Sequence, residues 1–153
     1  MEDARTLPTK EVERSLPDSH PSVIFAYSMR LFKAGKQDNA VVWYYVGQIR
    51  YRFHLMANPD LPKDGDPALL ASVNSSLGTA ISDWAGGTPR TWANSINRAL
   101  TWDATQPNTF TPKEAHSAEL EQVRKSVQEQ RDHILKTEAE ILSERKSRGF
   151  DDR

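Results

Sequence analysis

Four proline-containing dipeptides punctuate this chain, and they constrain its fold more than any other feature. His20-Pro21, Asp66-Pro67, Thr88-Pro89 and Thr111-Pro112 each place proline where a helix would begin. Proline suits the first helical position because its missing N–H would be unbonded there and its φ is already helical. Asp66 and Thr111 are good N-caps, and Thr88 is a fair one. Thr111-Pro112-Lys113-Glu114 also has capping-box spacing, with Glu114 able to reach back to the Thr111 N–H. Four such starts predict an all-α chain.

The punctuation divides the sequence into about five helices. The first runs from Pro21 to Ala34 and stops at Gly35, and the second from Asp38 to Ala57, before Asn58-Pro59. The turn-rich stretch Asn58–Gly65 follows. A third helix starts at Pro67, carries Leu69, Leu70, Val73 and Leu77 at helical spacing, and is expected to end near Gly78. Ile81 and Trp84 then fall in a short turn before Gly86-Gly87. The fourth, Pro89 to Thr105, aligns Trp92, Ile96, Ala99 and Leu100.

The fifth, Pro112 to Arg148, is long and charged, with a thin stripe of Leu120, Val123, Val127, Ile134 and Ile141. Gln130 and Thr137 interrupt that stripe, so the part beyond Ile134 is expected to project from the domain. At 153 residues the chain suits a single core. Residues 1–19 read as a flexible arm, 20–148 as one helical domain and 149–153 as a frayed tail.

One segment competes with this reading. Val41–Leu55 (VVWYYVGQIRYRFHL) is β-branched and aromatic, and by propensity alone resembles two strands around Gly47. Register favours helix. Ile24, Tyr27, Ser28, Leu31, Gly35, Ala40, Tyr44 and Gly47 alternate by three and four, break at a glycine turn and resume. Small residues at Ser28, Ala40 and Gly47 allow two antiparallel helices to approach, while Tyr27, Leu31 and Tyr44 fill their seam.

On these residues the stretch from about 22 to 55 resembles a tetratricopeptide repeat, and Ala40–Tyr44 with Gly47 resembles the related SEL-type repeat. The family's helix-ending proline would fall at Arg52, yet apolar residues continue through Phe53, Leu55 and Met56. No second copy is visible, so the resemblance implies one repeat-like hairpin packed with a helical bundle, not a solenoid. It also implies protein or peptide binding, since that family has no intrinsic chemistry.

Catalytic signatures are absent from the sequence. The four histidines, His20, His54, His116 and His133, show no HxxxH or HExxH spacing. Glu114, His116 and Glu119 are close in sequence, but Glu114 and His116 point to different helix faces. Asp60, Asp64 and Asp66 lack the spacing and terminal Glu of a calcium loop and read as solvated turn residues. Gly86-Gly87-Thr88-Pro89 reads as a plain turn and cap, and the Asn74-Ser75-Ser76 sequon falls within a helical stripe. With no cysteine there is neither a thiolate site nor a disulfide. No catalytic residue, metal or cofactor is expected, although a site assembled from dispersed acidic and histidine residues is the alternative.

Charge narrows the partner. With 20 Lys+Arg against 21 Asp+Glu, the chain lacks the basic excess of a nucleic-acid binder. On a helix, Arg50, Arg52 and His54 scatter around the axis, so Arg50 and Arg52 are expected to snorkel to solvent. No 18 apolar residues run together, so no membrane span is expected. The first 20 residues lack a leader-like apolar run, which suggests a cytoplasmic location, or a periplasmic one if a leader is removed.

The expected function is a non-enzymatic protein-binding module: a bacterial immunity protein that neutralises a cognate toxin, or an adaptor. Arg50, Arg52, Trp84, Arg90, Trp92 and Trp102 are the candidate partner-binding residues, because interfaces favour aromatic and arginine anchors. The last helix offers at most weak self-association, so the chain is expected to be a monomer or a weak homo-oligomer.

Overall fold

In the computed structural model, which describes residues 5–150, every regular element is helical. Among the described residues seven α-helices follow in order: α1 (Thr9–Ser15), α2 (Pro21–Lys33), α3 (Gln37–Ala57), α4 (Asp66–Ala85), α5 (Pro89–Thr105), α6 (Ser117–Lys136) and α7 (Glu138–Ser147). The proline-headed starts hold for α2, α4 and α5, where proline is the first or second helical residue.

α3 is the hub. It packs against α2, α4, α5 and α6, and every residue from Ala40 to Tyr51 is buried. A helix enclosed on all sides has no polar face, which is why its sequence looks strand-like while the structure is helical. α2 and α3 form an antiparallel pair around the Gly35 turn (φ +81°), and the Ser28 hydroxyl donates to the Ala40 carbonyl at 2.7 Å. The pair meets closely at Gly47, where a Cβ would lie 2.7 Å from the Phe25 ring.

Several expectations need correction. The presumed flexible arm contains α1 and a 3₁₀ turn, Leu16–Asp18, anchored by Val12 and Leu16, which are buried to 1% and 0% exposure. Two apolar residues four apart suffice to dock one helical face; residues 1–4 lie outside the described residues. α4 continues through Gly78 to Ala85. Gly78 is not a terminator there: the Tyr44 hydroxyl occupies the space a Cβ would need.

The last long helix does not begin at Pro112. Thr111 is buried with its N–H donating to Asn108 Oδ1, Lys113 reaches back to the Gln106 carbonyl at 2.7 Å, and α6 starts only at Ser117. Nor is that helix continuous. Thr137, at φ −105° and ψ 19°, separates α6 from α7, and its hydroxyl donates back to the His133 carbonyl at 2.7 Å. α7 therefore does not project. Ile141 packs on the core, and the Arg145 guanidinium donates to the Asp83 carbonyl at the end of α4. Gly149 and Phe150 close α7, with the Phe150 N–H donating to the Arg145 carbonyl at 3.0 Å; residues 151–153 of the expected frayed tail lie outside the described residues.

Candidate functional site

Three helix ends converge at one corner of the bundle: the start of α2, the last turn of α3 and the start of α4. His20 caps α2, its Nδ1 accepting the Ser22 N–H at 3.0 Å. Since Nδ1 is an acceptor there, the ring's proton in the neutral form is on Nε2. That Nε2–H donates to Asp66 Oδ1 at 3.1 Å, and His54 Nε2 lies 2.7 Å from Asp66 Oδ2. The Tyr51 hydroxyl donates to the Asp66 carbonyl oxygen at 2.9 Å, with Oδ1 at 3.2 Å. The donor from His54, followed by those from His20 and Tyr51, holds the Asp66 carboxyl below its ordinary range against the opposing effect of partial burial. Phe110 sits over the pair, its ring 5.0 Å from each imidazole.

No local spacing links these residues. His20 and Asp66 are 46 positions apart, and Asp66 reads locally as an N-cap. In the structure Gly65 holds the N-cap position, and the Asp66 carboxylate turns to the two histidines. Asp66 is therefore not the solvated turn residue its loop suggested.

A second charged cluster lies inside the bundle. Arg50 Nε donates to Asp103 Oδ1 at 2.9 Å, and both side chains are only 1% exposed. Arg50 also donates to the Pro107 and Gln106 carbonyls at 2.8 and 3.1 Å, satisfying loop carbonyls just past α5. Arg124 supplies the other Asp103 oxygen with a donor at 2.9 Å. Burial pulls the Arg50 guanidinium below its usual range, and the adjacent Asp103 carboxylate pushes back.

The predicted partner-binding residues do not form one surface. Arg50 is enclosed rather than snorkelling, because Asp103 and two carbonyls solvate it within the fold. Arg52 is half-buried and donates to Ser126 Oγ at 2.7 Å. Trp84 and Trp92 are also half-buried, with indole N–H groups donating to Asp38 at 2.9 Å and to the Tyr45 hydroxyl at 3.0 Å. Arg90 is 83% exposed and paired with Glu138 at 3.1 Å. Trp102 borders a two-walled groove, with the Arg50 guanidinium over its ring at 4.6 Å and Trp43 edge-on at 5.2 Å, while Trp92 lines a separate hollow of about 340 Å³ shared with α4, α6 and α7.

That groove has two sections, of about 360 and 370 Å³, which share Glu13 and Trp102. Tyr27, Trp43 and Trp102 form an edge-to-face aromatic run along its floor. Exposed Lys10, Arg14, Lys36 and Arg98 line the rim, opposed only by Glu13, whose carboxylate accepts the Tyr27 hydroxyl at 2.6 Å. A broader hollow of about 700 Å³ lies along the start of α6, but its lining comes only from residues 113–128 and lacks an opposing helix. Sequence reasoning missed the groove because one wall is α1, in the supposed arm. No protein-family model matches the chain, and neither the curated proteins nor the solved structures contain a match.

Proposed function

We propose that this chain is a non-enzymatic protein-binding module that acts by stoichiometric capture of one partner, as a bacterial immunity or adaptor protein does. The observation that carries the reading is the two-section groove with an aromatic floor and four basic rim residues against one acidic. Tryptophan, tyrosine and arginine are the side chains on which interface energy concentrates. The rim charge selects for an acidic segment and accelerates its encounter. The resemblance of residues 22–55 to a tetratricopeptide hairpin supports the same class of function.

The test is capture from the native host with the intact chain and with K36E/R98E side by side. Both substituted residues are exposed, so the bundle keeps its helical circular dichroism. A specific partner is expected on the wild type, binding one-to-one with nanomolar affinity, and its affinity falls at least tenfold in the variant. Absence of any partner, or a partner held equally by both proteins, overturns the reading.

A further inference from the structure

We propose that His20, His54 and Asp66 form a binding site for a divalent transition-metal ion of the zinc type. The site is separate from the groove and does not depend on the groove's function. The two imidazole nitrogens and one carboxylate oxygen all lie within 4.8 Å of one another. Two imidazoles and a carboxylate are the donor set that borderline ions prefer, and hard cations such as magnesium do not.

The spacing fits. An ion with bonds of about 2.0–2.1 Å in tetrahedral geometry separates its ligand atoms by about 3.3 Å. Here each Nε2 stands 3.1 or 2.7 Å from its Asp66 oxygen. The two Nε2 atoms face different carboxylate oxygens and the three ligand atoms lie within 4.8 Å of one another, so ring displacements that draw them around a common centre convert the hydrogen-bonded cluster into a coordination shell.

The surroundings must rearrange to serve such a site. Coordination through Nε2 requires each neutral ring to carry its proton on Nδ1, where it needs an acceptor. At His20, Ser22 Oγ stands 2.8 Å from Nδ1 and accepts once the Ser22 N–H gives up its bond to that nitrogen. At His54 the neighbour is the Asn58 amide nitrogen at 3.3 Å, a donor, so the Asn58 carboxamide must turn its oxygen to Nδ1. Each proton moves from one ring nitrogen to the other through solvent, with no net release. The Tyr51 hydroxyl holds the Asp66 backbone carbonyl at 2.9 Å and touches the carboxylate at 3.2 Å. Three protein ligands leave a fourth position for water.

The ligands also come from three different helix ends, so an ion would join the starts of α2 and α4 to the end of α3. A helix-capping role alone would require only the His20–Ser22 contact. It would not explain why His54 and Tyr51 converge on the same carboxylate.

The experiment uses the full, tag-free chain after chelator treatment, titrated with zinc by calorimetry and with cobalt by visible absorption. The expected result is one equivalent of zinc bound, and cobalt bands of a four-coordinate site. H20Q and D66N each weaken zinc binding at least tenfold, while H133Q, on α6, leaves it unchanged. A wild-type measurement covers the case in which these variants fail to fold. Long-range imidazole nitrogen spectra should show His20 and His54 switching from Nε2–H to Nδ1–H on zinc addition, with His116 and His133 unmoved. Absence of saturable zinc binding, equal binding by H20Q and D66N, or no switch at His20 and His54 overturns the proposal.

Discussion

Arg50 and Asp103 carry opposite charges in the interior, and each depends on the other for solvation. Removing one partner leaves an unpaired buried charge, which costs about 3–5 kcal/mol. D103A is therefore expected to lose that much in equilibrium urea unfolding, the more so because Arg50 and Arg124 both lose an acceptor. Gly47 tests packing instead of charge. Alanine favours a helix by about 1 kcal/mol over glycine, but overpacking a core costs about 1–3 kcal/mol. The Phe25 ring beside it is 3% exposed and has little room to move. G47A is thus expected to destabilise by about 1–2 kcal/mol, and F25L should relieve the loss in a double-mutant cycle. Neither Arg50's burial nor the clustering of His20, His54 and Asp66 was legible in the sequence. Arg50 meets its carboxylate 53 residues away, and His20 meets Asp66 across 46, so both meetings are products of topology and not of local spacing.

At the level of elements, the sequence was readable wherever the signals are local. The α2–α3 turn at Gly35 and the starts of α2, α4 and α5 follow from proline, glycine and apolar period. α6 and α7 did not, because Lys113 and Thr111 are committed to the loop after α5 and Thr137 bonds its own preceding turn. α1 was missed because two apolar residues in a polar stretch carry little periodicity, although both are fully enclosed. The two terminal helices should behave differently. α7 contributes no fully buried residue, so deleting residues 138–153 is expected to cost only about 1–2 kcal/mol, the partial burial of a side chain such as Ile141. V12D places a charge where only 1% of the side chain is exposed. It is expected either to cost about 3 kcal/mol or more or to release α1, and hydrogen exchange of the α1 amides distinguishes the two.

For the molecule as a whole, a net charge of −1 conceals a basic groove rim, because the balancing carboxylates lie elsewhere. Its tyrosines respond collectively to alkali. Burial is the largest influence on all four and raises each hydroxyl pKa, Tyr44 to about 12 and Tyr27, Tyr45 and Tyr51 further still. Unfolded tyrosines ionise near about pH 10. The folded state therefore keeps this part of its stability below that pH and loses it as the pH climbs from there towards the folded-state values. Tyrosinate absorbance of the native chain should stay low past the point where the guanidinium-unfolded chain titrates, then rise together with loss of helical circular dichroism. The edge-to-face floor of the groove has an optical consequence as well. Trp43 and Trp102 stand 5.2 Å apart at 74°, with the Arg50 charge 4.6 Å from the second indole. Two indoles at that separation couple their excited states, and the nearby cation shifts one of them. The protein thus carries an unlabelled chromophore pair at the groove, and a segment settling over Trp102 would be reported by its near-ultraviolet circular dichroism and emission colour.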